Sequence, residues 1–143
     1  WTDEDRQKFE ALTKKLIEQY NEFEPAQLPG QKVNGALTIG ENIGDLGGLS
    51  IAYTAYKRSL DGREAAVIDD LKGDQRFFMG WAQVWRSKYR DAELSRRLAT
   101  DPHSPTEFRC NGVLRNLPEF YSAFGVKEGD KLWLPAERRV RIW

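Results

Sequence analysis

The chain has 143 residues, and its 22 basic side chains are balanced by 22 acidic ones, so it has room for one domain with its own core and no basic footprint for nucleic acid or a membrane surface. No run reaches the roughly 18 apolar residues of a membrane span, and no signal-peptide pattern opens the chain. Five Trp, five Tyr and seven Phe exclude a disordered composition, and the single Cys110 excludes an intrachain disulfide. The start at Trp1, without Met, leads to the expectation of a piece of something longer.

In chain order, Thr2 is placed to cap a helix, and Asp3, Glu4 and Asp5 suit the positive end of its dipole. Phe9, Leu12, Leu16, Tyr20 and Phe23 recur at steps of three and four, which predicts an amphipathic helix over 3–22. Pro25, Pro29 and Gly30 break it, and Val33-Asn34-Gly35 reads as a turn that aims the next element. A second helix is expected over 39–60, with Ile39, Ile43, Leu46, Leu49, Tyr53 and Tyr56 on or near its buried side. It carries Gly40-Glu41-Asn42-Ile43-Gly44-Asp45-Leu46-Gly47-Gly48-Leu49, the segment around which the chain is organised. Glu41 and Asp45 share a face about 6 Å apart along the axis, and there they repel. Each interior glycine costs about 1 kcal/mol relative to alanine, which implies that another backbone comes very close. Two readings of the segment stand side by side: a solvated acidic edge on a tightly packed helix, and a carboxylate pair that wants a cation.

Asp61-Gly62 ends this helix, and residues 63–73 are ambiguous, with a short helix around 65–71. Asp74 can cap a third helix whose Phe77, Phe78, Trp81, Val84, Trp85 and Tyr89 form an aromatic stripe, with Phe77 and Phe78 in the core. A charged helix over 91–99 spaces Glu93, Arg96 and Arg97 for solvent-facing pairs. Asp101-Pro102-His103-Ser104-Pro105 is proline-punctuated, which holds His103 in a rigid loop. Phe108-Arg109-Cys110-Asn111-Gly112 follows. By themselves, His103 and Arg109 read either as ordinary surface groups or as site groups. Pro118 opens and Gly125 closes another helix, and the remainder is short extended or loop structure ending in Arg139-Val140-Arg141-Ile142-Trp143.

These segments resemble the neprilysin-like zinc metallopeptidases, peptidase family M13. Glu41-Asn42-Ile43-Gly44-Asp45 is similar to the family's Glu-Asn-x-x-Asp, and Ala82-Gln83-Val84-Trp85 to its Ala-Gln-Val-Trp. Asp101 to Gly112 is similar to its Asp-x-His-Ser-Pro…Phe-Arg-x-Asn-Gly, and the chain end to its Cys-Arg-x-Trp. Val140 stands where many animal members carry a disulfide cysteine, which fits a bacterial-type member. The motifs occur in family order, and the resemblance covers the whole chain. It implies a mainly α fold, the helical C-terminal portion of a thermolysin-like (zincin) catalytic domain with short extended segments near the C-terminus, and residues 1–143 as a single domain.

The resemblance further implies that Glu41 is a zinc ligand and Asp45 the partner that orients a ligating histidine. His103 would hydrogen-bond the oxyanion, Asp101 would orient His103, Arg109 would grip the substrate carbonyl, and Val84 and Trp85 would wall an apolar S1′ pocket. The chain holds one histidine and no His-Glu-x-x-His, so it cannot complete a zinc site by itself. The expectation is therefore a fragment of an endopeptidase that binds one zinc ion when intact, takes peptide substrate, needs the remainder of its catalytic domain and is inactive alone. Two alternatives are a non-catalytic helical interaction module and a processed subunit completed by a partner chain. Secreted, cell-envelope and cytoplasmic locations all stay open.

Overall fold

In this computed structural model, which describes residues 1–142, six helices and one 3₁₀ turn account for the regular structure among the described residues. Helix α1 (Asp3–Asn21) starts where expected. Thr2 Oγ1 accepts from the Asp5 N–H at 3.1 Å, and the Asp5 carboxylate reaches back to the Thr2 N–H, a reciprocal capping box. Helix α2 (Gly35–Ser59) begins four residues before the predicted start because Asn34 caps it, accepting from the Leu37 N–H at 3.0 Å.

Gly40, Gly44 and Gly48 have nothing within 4 Å of where a side chain would sit, so the described residues make no close approach at these three, whereas Gly47 is buried. The close approach occurs at Gly35 instead, where an added Cβ would collide with the Ile17 carbonyl of α1, and where the Gly35 N–H donates to Asn21 Oδ1 at 2.8 Å. That contact anchors the start of α2 on the end of α1.

The short helix around 65–71 does not form. Asp69 and Asp70 take positive φ, and Ile68 and Leu71 form an isolated antiparallel bridge, with Arg76 Nη1 donating to the Ala66 and Leu71 carbonyls. Helix α3 (Gly73–Val84) has Lys72, not Asp74, at its N-cap, because Asp74 is engaged by Tyr53 Oη at 2.9 Å and Lys57 Nζ at 3.1 Å. It also stops short of Tyr89. The Tyr89 carbonyl accepts from Gln27 Nε2 at 2.8 Å and Ser87 Oγ meets Thr106 Oγ1 at 2.6 Å, so tertiary partners hold 86–90 out of the helix.

Helix α4 (Asp91–Thr100) matches its expectation, with Glu93 paired to Arg96 and Arg97. Helix α5 (Thr106–Leu114), which the sequence reading did not delimit, follows Pro105 directly. Helix α6 (Pro118–Phe124) has Pro118 in its first turn and ends at Gly125 in the left-handed region, φ 65°. The 3₁₀ turn spans Ala136–Arg138. No strand occurs among the described residues, so the C-terminal segment is irregular. Trp143, the last residue of the terminal motif, lies outside the described residues.

The core joins Leu16 and Tyr20 of α1, Leu46 and Leu49 of α2, Phe78 of α3, Phe108, Val113 and Leu114 of α5, Phe120 of α6, and Val140. Phe78 is buried as expected and Phe77 packs against the cluster. Helix α5 can lie against α1 because residue 112 is glycine: a Cβ there would sit 2.8 Å from Tyr20 Oη and 2.9 Å from Tyr20 Cζ. The C-terminal segment is fastened by buried amides, Gln19 and Asn116 exchanging hydrogen bonds at 3.0 and 2.9 Å while Asn116 Oδ1 accepts from the Val140 N–H. Among the described residues no helix is long and apolar enough to cross a membrane.

Candidate active site

Three elements converge at one end of α2. Glu41 and Asp45 come from successive turns of α2, His103 from the loop between α4 and α5, and Arg109 from the first turn of α5. Asp45, only 9% exposed, accepts two hydrogen bonds from Arg109, Nε to Oδ2 and Nη2 to Oδ1, each 2.7 Å. This fork is a bidentate charge pair. The carboxylates on the shared face therefore do find a cation, and for Asp45 it is a guanidinium. The hydrogen bond to Asp45, outweighing burial, raises the pKa of Arg109 above the ordinary arginine value, with the Glu41 charge adding to it.

Glu41 is the outer member of the pair, 45% exposed. Its Oε2 lies 3.2 Å from His103 Nε2 and 3.7 Å from Arg109 Nη2. The opposite face of the imidazole is held as well: His103 Nδ1 is 2.8 Å from Asp101 Oδ1, which also accepts the His103 backbone N–H at 2.9 Å. Arg97 Nη1 donates to the other Asp101 oxygen at 3.0 Å. Burial pushes the Asp101 carboxyl pKa upward, but the His103 hydrogen bonds and the His103 and Arg97 charges together hold it below the usual range. The result is a continuous file of side chains, Arg97, Asp101, His103, Glu41, Arg109 and Asp45, in which acidic groups alternate with groups that are or can be cationic.

Trp85, which caps the end of α3, lies beneath the guanidinium, its ring centroid 4.1 Å from Arg109 Cζ. Behind the pair, Tyr20 donates to the Phe108 carbonyl at 3.2 Å, and burial first and the Asp45 charge second drive its phenol pKa up. Of the sequence-predicted residues, Glu41, Asp45, Asp101, His103 and Arg109 thus form one cluster with Trp85 against it. Val84 is 70% exposed on the rim of α3. Arg97, Tyr20, Asn42 and Ser104 were given no site role from sequence. Arg97 had a signal in its i to i+4 spacing from Asp101, whereas the Tyr20–Phe108 and Ser104–Asn42 contacts join segments distant in the chain.

No group of three or more His, Cys, Asp and Glu side chains that could hold a metal occurs among the described residues. A catalytic zinc keeps three protein ligands and an open position. The donor set here fits only part of such a site, since Glu41 is a half-exposed carboxylate and His103 is the one histidine of the chain.

A family profile described as Peptidase family M13 matches residues 1–140. The chain is 36% identical to human neprilysin over 146 residues, covering all of this chain and 19% of that protein. It is 38% identical over 143 residues to the neutral endopeptidase of Lactococcus lactis, covering all of this chain and 21% of that protein. The structure of the Mycobacterium tuberculosis zinc metalloprotease Zmp1 in complex with an inhibitor superposes with a TM-score of 0.98 at 63% identity, over all of this chain and 22% of that one. The chain thus spans about a fifth of the length of the relatives it matches. The all-helical fold and these matches define the helical part of a neprilysin-like metallopeptidase catalytic domain. The chain belongs to peptidase family M13.

Proposed function

We propose that this chain contributes the third zinc ligand and the substrate-stabilising groups of a zinc-dependent endopeptidase that hydrolyses oligopeptides, the remaining ligands and the general base coming from a further part of the catalytic domain. The observation that carries this reading is the convergence of Glu41, His103 and Arg109 within 3.2 and 3.7 Å from three separate elements. Zinc, when bound, supplies a Lewis acid for the scissile carbonyl. Glu41 is the protein ligand from this chain, and Asp45, which keeps acceptor capacity beyond its two bonds to Arg109, orients a ligating histidine.

The other residues act on the substrate. His103, held by Asp101 through Nδ1, directs Nε2 to the oxyanion as it forms, and Arg109 grips a substrate carbonyl. Both side chains are held before substrate arrives, His103 by Asp101 and Arg109 by Asp45, and Nε2 exchanges its contact with Glu41 for the oxyanion. Val84 and Trp85 wall the apolar pocket for the residue after the scissile bond. The chain by itself is inactive and binds zinc weakly.

The test uses the full-length protein. Chelation abolishes cleavage of an unstructured oligopeptide, zinc restores it, and Glu41→Gln lowers the zinc content measured by elemental analysis. Stoichiometric zinc in Glu41→Gln, or robust peptidase activity from residues 1–143 alone, overturns the assignment.

A further inference from the structure

The residue after each of the two exposed site groups points inward. Asn42 follows Glu41 and is fully buried at 0% exposure, and Ser104 follows His103 and is 3% exposed. Ser104 Oγ donates to Asn42 Oδ1 at 2.8 Å, so the contacts 41 to 103 and 42 to 104 are successive rungs between α2 and the histidine loop. The inner rung is itself braced. Asn42 Nδ2 donates to Thr38 Oγ1 at 2.9 Å, and Thr38 Oγ1 donates to the Asn34 carbonyl at 3.1 Å, which leads back to the N-cap of α2.

The loop has few other ways to fix its distance from α2. Pro102 and Pro105 flank it and carry no N–H. Asp101 sets the rotation of the imidazole but belongs to the same loop, and Arg97, which holds Asp101, comes from the adjoining α4. Besides the outer His103–Glu41 contact and the Arg109–Asp45 fork just beyond the loop, the polar tie between loop and helix among the described residues is the buried Ser104–Asn42 bond.

We infer that Asn42 and Ser104 are positioning residues that set the reach of His103 Nε2 beside Glu41, acting through the imidazole without touching substrate. This rests on the role proposed above for His103. A buried neutral hydrogen bond at this place does more than stabilise: losing it lets the loop move away from α2, and a displacement near 1 Å at a catalytic group can cost on the order of a hundredfold in rate.

The experiment is a double-mutant cycle in the zinc-loaded full-length enzyme, with Ser104→Ala, His103→Ala and the double variant assayed for kcat and KM on one peptide. The expected result is a fall in kcat of about tenfold or more for Ser104→Ala, with KM within about twofold and no further loss when the substitution is made in the His103→Ala background. Equal losses in both backgrounds overturn the inference, because the hydroxyl would then act independently of the imidazole. An unchanged kcat in Ser104→Ala beside an impaired His103→Ala overturns it too, and leaves the role of His103 standing. An unchanged kcat in His103→Ala removes that role and this inference with it. If Ser104→Ala does not fold, Ser104→Cys, close in volume and a weak donor, carries the same predictions, and Ser104→Thr, which keeps the hydroxyl, is expected to restore kcat to within about threefold.

Discussion

Removing the Arg109 side chain tests whether the Asp45–Arg109 fork holds α2 and α5 together. In Arg109→Met, Asp45 is left as a carboxylate only 9% exposed, having lost two 2.7 Å charge-assisted bonds. Breaking one side of a buried pair costs about 3–5 kcal/mol because the surviving charge is uncompensated. Exposure of the Arg109 side chain is 16%, so solvent screening offsets little of this. Replacing both partners, Asp45→Leu with Arg109→Met, removes the buried charge and is expected to return stability to within about 1 kcal/mol of the starting protein.

The assay is native-state hydrogen exchange of the α5 amides, Cys110 to Leu114, in the full-length protein, since exchange reads local opening free energy where global unfolding is not two-state. The single variant should exchange faster by the equivalent of about 3–5 kcal/mol, and the double variant should regain protection. On the role proposed for Arg109, peptidase activity stays down by about a hundredfold in both. A loss below about 1 kcal/mol in Arg109→Met, or a double variant less protected than the single, refutes the reasoning.

Gly112→Ala places a methyl group 2.8 Å from Tyr20 Oη and 3.0 Å from Phe23 Cε2, whose ring stacks on Phe108 at 4.6 Å. Overpacking of this kind should cost about 1–3 kcal/mol, read as a lower thermal midpoint, and an unchanged midpoint contradicts the packing argument. Glu93, hydrogen-bonded by Arg96 and Arg97, has its carboxyl lowered from 4.5 to about 2. Its folded pKa lies below the unfolded one, so the stability it adds is present above about 4.5 and is lost as the pH falls toward about 2. A carboxyl ¹³C titration with a midpoint above 4 would contradict this. Burial pushes the Cys110 thiol up to about 11, so alkylation at pH 8 should be slow in the native protein and fast in denaturant, and rapid native labelling would place the thiol at the surface instead.

Much of the helical scaffold was legible because its signals are local. Thr2 caps α1, Pro118 and Gly125 bracket α6, and Glu93 pairs within α4, each through groups no more than seven residues apart. The misreadings lie where a distant partner outweighs local preference. Gln27 and Thr106 draw residues 87–89 out of α3, and Tyr53 and Lys57 take Asp74 away from the cap. The missing helix near 65–71 gave way to two left-handed aspartates.

At the site, the amino-acid sequence determined which groups are available: two carboxylates one turn apart, a histidine held between prolines and an arginine six residues beyond it. Which carboxylate is neutralised and which is left facing outward was decided by tertiary structure alone, since Arg109 reaches Asp45 across 64 residues of chain and Ser104 reaches Asn42 across 62. Helical periodicity fixes the spacing along α2, but the reach between α2, the histidine loop and α5 depends on packing around Tyr20 and Gly112, and no local pattern in the chain encodes that distance.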